Sequence, residues 1–77
     1  MDQIWLGYDG LSLPYDQVAV VLIYQPALRG RILHSYGRIP ANIQAIVVTD
    51  RGEYLPSSWT AQQLRQRLAR WRNAARN

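Results

Sequence analysis

The chain has 77 residues and a net charge of +4, with nine arginines, no lysine and five acidic side chains, which is enough for one domain and too little for two. It has no cysteine and a single histidine, His34, which excludes disulfides, thiolate metal sites and a zinc site built by histidine alone. Apolar residues make up 48% of the sequence, too many for a disordered chain.

Residues 4–8, IWLGY, read as a short strand of bulky side chains, and Asp9-Gly10 as a turn. Residues 11–13 form a second short extended piece that Pro14 ends. Residues 18–24, VAVVLIY, give the clearest strand. It is rich in β-branched residues and apolar at every position, the pattern of a strand covered on both faces.

Residues 25–38 admit two readings. In the favoured one, Pro26 starts a helix, Leu28, Ile32 and Tyr36 repeat along one face, and Gly37 supplies a left-handed cap. Gly30 lies inside and weakens it by about 1 kcal/mol relative to alanine. In the other, residues 26–30 are a turn and 31–36 a strand. Residues 43–49 form the next strand, 50–52 a hairpin loop with Gly52 at positive φ, and 53–55 a return strand ended by Pro56. Ser57 or Ser58 then caps a final helix over about residues 59–75, without an acidic capping box. Ala61, Leu64, Leu68, Trp71 and Ala75 form its apolar stripe.

The expected fold is a single α+β domain over residues 1–77, in which a mostly antiparallel sheet of four or so strands is packed by a C-terminal amphipathic helix. A second short helix is expected near 26–37. The alternative is a five-stranded meander or small barrel with the same terminal helix.

Little in the sequence argues for catalysis. His34 has no cysteine to activate, Asp9, Asp16 and Asp50 lie beside turns or a helix boundary, and the glycines make no phosphate-loop pattern. A non-enzymatic protein without cofactor or metal is expected. The longest apolar run, residues 18–24, is too short to cross a membrane, and the acidic start resembles no signal peptide, so the expected location is the cytoplasm.

The charge pattern says more. The last 18 residues, TAQQLRQRLARWRNAARN, carry Arg65, Arg67, Arg70, Arg72 and Arg76 and no acidic residue. Arg29, Arg31, Arg38 and Arg51 form an earlier basic group. A guanidinium is a planar fork of donors matched to phosphate and carboxylate. Such a helix suits the sequence-independent, salt-sensitive contacts made to a nucleic-acid backbone. Trp71 and Tyr36 suit base stacking if exposed, although its spacing favours a core role for Trp71. Three tryptophans are many for so small a core, which suggests a homo-oligomer with one at the interface. The expected partner is nucleic acid, DNA first, contacted by Arg38, Arg65, Arg67, Arg72 and Arg76. The alternative is an oligomerising or adaptor module whose basic helix meets an acidic protein.

The stretch AIVVTDRGEYLPSSWTAQQLRQRL resembles the closing segment of the RemA-like extracellular-matrix regulatory proteins, with Thr49, Asp50, Gly52, Ser57, Arg67 and Leu68 at corresponding places. The opening Leu6-Gly7-Tyr8 and the later Tyr36-Gly37-Arg38 also look like family features. The middle of this chain is shorter than the family's, and Ile39 stands where a second arginine is usual. The resemblance implies an oligomeric DNA-binding regulator with strand-strand-helix-strand-strand-helix order, in which the arginines around Tyr-Gly-Arg matter for DNA and, of those, only Arg38 carries over to this chain.

Overall fold

A computed structural model describes residues 2–8 and 10–75. In chain order the elements are β1 (Gln3–Trp5), β2 (Ser12–Pro14), β3 (Val18–Ile23), α1 (Arg29–Tyr36), β4 (Ala45–Thr49), β5 (Tyr54–Ser57) and α2 (Ala61–Ala75). Single 3-10 turns precede β3 and α1. The strands form two antiparallel sheets, a β1-β2 hairpin and a three-stranded sheet in the order β3-β4-β5. This is the expected α+β class with both helices, and the described strands close no barrel.

Residues 25–38 take the helical reading. Pro26 opens the 3-10 turn, and Gly37, at φ 89°, ends α1 with its N–H bonded to the Leu33 carbonyl. Gly30 is tolerated because it stands in the first turn, where an exposed backbone costs least.

The β4 register explains the layering. Val21, Val47 and Leu55 align across the sheet on one face, and Leu22, Ile46 and Pro56 align on the other. The first face belongs to the main core, where Val21, Ala45 and Val47 pack with Ile4, Leu6 and Leu13 of the hairpin region and with Ala61, Leu64 and Leu68 of α2. Ile46 and Ile32 are fully buried outside that cluster, because α1 lies over the reverse face beside β5.

Three local expectations are corrected. The return strand does not stop before Pro56. It runs on through Ser57, because β5 is an edge strand and the Ile46–Pro56 pair needs no proline N–H. α2 starts at Ala61, not near 59, and its cap is Thr60 rather than Ser57 or Ser58. The Thr60 hydroxyl accepts from the Gln63 N–H at 3.1 Å, and the Gln63 side-chain oxygen accepts from the Thr60 N–H at 2.9 Å. Glutamine thus completes a capping box without an acid. Finally, β3 is an edge strand that is open in part on both faces, since Val20 and Ile23 lie on opposite faces by their pairing with Val48 and Ala45. It pairs with β4 alone, and Val20 and Ile23 are 46% and 63% exposed.

Ser57 is fully buried and joins the two sheets. Its hydroxyl donates to the Leu6 carbonyl at 2.9 Å and accepts from the Trp59 N–H at 3.1 Å. The Ser58 N–H reaches the same carbonyl at 2.9 Å. Gly7 makes this approach possible. Its φ is +97°, and a Cβ there would collide with Ser58 Oγ.

Gly7→Ala is expected to lower unfolding free energy by about 3 kcal/mol through left-handed strain plus overlap. Gly10→Ala, at φ +70° in open space, is expected to lose only about 1 kcal/mol. Urea unfolding of the two variants separates overlap from strain. Thr60→Ala is expected to cost about 1 kcal/mol by the same measurement.

Candidate nucleic-acid interface

The spacing of α2 divides its arginines. With Leu64 and Leu68 buried beneath the helix, Arg65 and Arg72 are seven residues apart on one flank, and Arg67 lies on the other. Arg65 and Arg72 line a groove of about 290 Å³ with Val20, Val21 and Leu68, along β3. The Arg65 guanidinium donates to the Val21 carbonyl at 2.9 Å. A larger space of about 700 Å³ continues past Ile23, Ala61, Arg65 and Ala69. On the opposite flank the Arg67 guanidinium lies 4.4 Å from the Trp59 ring centroid, a cation–π contact. Arg70 is exposed, and Arg76 lies outside the described residues.

Arg38 belongs to a separate surface just beyond α1. Its guanidinium stacks 5.4 Å from the Tyr36 ring centroid and donates to the Tyr36 hydroxyl at 3.3 Å. That bond raises the Arg38 pKa further above its already high ordinary value. Arg31 stacks similarly over Tyr54 at 5.1 Å. The contacts of Arg31, Arg38, Arg65 and Arg67 are therefore to aromatic faces, a phenol and a main-chain carbonyl. The Glu53 carboxylate instead accepts from the Thr49 hydroxyl at the hairpin.

The aromatic groups also find partners inside the chain. Trp71 is half-buried and stacks on Tyr15 with centroids 5.5 Å apart and planes 10° apart. Trp5 is 48% exposed and meets Trp59 edge to face at 6.1 Å. Sequence spacing did not reveal either pair, since each joins distant elements. Nor did it reveal the Arg65–Val21 bond, which links α2 to β3. His34 is exposed on α1. Among the described residues no group of three or more His, Asp or Glu side chains is placed to hold a metal ion, and no helix is long and apolar enough to cross a membrane.

Tyr8 connects the first turn to the loop after α1, donating to the Ala41 carbonyl at 2.9 Å. Burial, and secondarily the neighbouring Tyr36 phenol, raise its pKa above the usual 10.0. The neutral phenol is the form the fold favours. Its contribution to stability is complete below about pH 10 and is lost as pH rises through the raised folded-state value. Tyr8→Phe is expected to weaken the alkaline fall in melting temperature.

Comparison with family models, with curated proteins and with solved structures finds no match to this chain.

Proposed function

We propose that the protein is a non-enzymatic nucleic-acid-binding protein, with DNA as the first candidate, that uses the arginines of α2 on backbone phosphates. The observation that carries this reading is the charge balance of the helix. Between Ala61 and Ala75 it holds Arg65, Arg67, Arg70 and Arg72 with no acidic residue. Among the described residues, Arg65 and Arg67 meet a carbonyl and an aromatic ring, neither of which neutralises their charge. An arginine has five N–H donors, so one bond to a carbonyl, or a ring beneath its plane, leaves edges open to phosphate. Arg72 is exposed beside them, and Arg38 and Arg76 extend the same reading beyond α2. The likeness of its Tyr36-Gly37-Arg38 and Thr49-Asp50-x-Gly52 segments to RemA-like regulators agrees with it, and a cytoplasmic location is part of the same proposal. Self-association belongs to the proposal too, with half-exposed Trp5 as the surface it would use.

One observation favours the second reading, an interaction module for an acidic protein. Arg65 and Arg72 face a groove along the open edge of a strand, a shape suited to peptide rather than to a duplex.

The deciding measurement is binding to a random duplex of about 20 base pairs across a salt series. Log affinity is expected to fall linearly with log salt, by about 0.9 for each phosphate neutralised. Arg67→Gln combined with Arg72→Gln is expected to flatten the slope by about 1.8. Absence of binding at low salt, or a slope unchanged in the double variant, rejects phosphate contact by α2.

A further inference from the structure

The two edges of the three-stranded sheet are treated differently. At the β5 edge the Tyr54 N–H donates to Ser35 Oγ of α1 at 2.9 Å, and Pro56 has no N–H to offer. Both are recognised ways of closing an edge against further pairing.

The β3 edge has no proline and no charged side chain of its own; its sequence is VAVVLI. The Tyr24 N–H bonds to the Gln44 carbonyl on the β4 side, so the alternation turns the peptide groups of Val21 and Ile23 outward. The Arg65 bond to the Val21 carbonyl fits this direction. It occupies one acceptor and leaves the Val21 N–H and both Ile23 groups outside the ladder. Val20 and Ile23 are also well exposed. Six residues in a strand give about 20 Å of edge.

We propose that the β3 edge and the adjoining flank of α2 bind an extended acidic segment of a partner protein, which adds as a fourth strand. This rests on the acidic-partner reading and specifies its geometry. Strand addition supplies main-chain bonds, and alternate side chains supply specificity. Side chains on the α2 face would meet Arg65 and Arg72, which calls for Asp or Glu. Those on the reverse face would cover Val20 and Leu22, which calls for Val, Ile or Leu.

Charge argues against a second copy in the same place. Pairing β3 with another β3 would bring two sets of Arg65 and Arg72 to one line. None of the five strands, QIW, SLP, VAVVLI, AIVVT and YLPS, carries an acidic residue to meet them.

The test uses fluorescein-labelled octapeptides of alternating glutamate and valine, alternating lysine and valine, and a fully N-methylated glutamate–valine version. Binding is read by anisotropy, and amide exchange at Val21 and Ile23 by NMR. The glutamate–valine peptide is expected to bind and to slow exchange at both amides. The lysine and N-methylated peptides, and the Arg65→Gln, Arg72→Gln double variant with the first peptide, are each expected to bind about tenfold more weakly or worse. Equal binding of the N-methylated peptide overturns strand addition while sparing the acidic-partner reading. Failure of both glutamate peptides to bind sinks the two together. Protection of Val21 and Ile23 without peptide, with a dimer by light scattering, would give the edge to a second copy. Slowing of those amides by duplex DNA but not by peptide would give it to nucleic acid.

Discussion

The buried hydroxyl of Ser57 holds the parts of this fold in register. It stands where the last strand ends, and it touches the carbonyl of Leu6 on one side and the amide of Trp59 on the other. A two-stranded ribbon such as β1-β2 is marginal by itself. The Leu6 carbonyl, shared with the Ser58 amide, anchors that ribbon directionally to the larger sheet. In an apolar interior each such bond left unmade would cost about 1–3 kcal/mol. The same serine fixes where the chain turns toward α2, three residues before the Thr60-capped helix is under way. The direction of the apolar stripe, and so the outward direction of every arginine on α2, follows from that junction.

Once the stripe is set, helical spacing decides the electrostatics. A run that reads as one basic strip becomes two flanks separated by Leu64 and Leu68. On one flank Arg65 meets a strand carbonyl, and on the other Arg67 lies over an indole. Both contacts suit a guanidinium better than an ammonium, because the planar, weakly hydrated group can stack and can donate in a fixed direction. The all-arginine composition thus has a structural use inside the molecule. These two contacts hold positive charge at defined places and do not themselves neutralise it.

Features governed by near neighbours were legible in the sequence. Gly37 ends α1 at a left-handed residue, and it and the stripe Leu28, Ile32, Tyr36 lie within about two and a half turns of one another. Gly52 allows the short loop after Thr49 for the same reason, and its φ is +83°. Features that depend on a distant partner were not legible. Whether Pro56 ends a strand or occupies it depends on which side of β5 is free, and that depends on α1. Ser57 looks like a helix cap until Leu6 is brought beside it. A run such as VAVVLI reads as fully covered, yet its place at the sheet margin exposes half of it. The division of the arginines could have been drawn from helical angles alone. The groove beside β3 could not, since it needs the sheet order.

That order also explains why the margins differ. α1 intervenes between β3 and β4 in sequence and lies over the reverse face beside β5, while α2 crosses the front face over β3. Each helix therefore offers one side chain to the edge nearest it. Ser35 is short and neutral and takes up a donor, Tyr54 N–H, beside a proline that has none. Arg65 is long and charged and takes up an acceptor, Val21 C=O. The first arrangement removes hydrogen-bonding capacity from its margin. The second leaves the main-chain donors of Val21 and Ile23 in place and adds guanidinium donors beside them. A margin rich in donors and positive charge is complemented by a group rich in acceptors and negative charge, and an extended chain with carboxylates on one face is such a group.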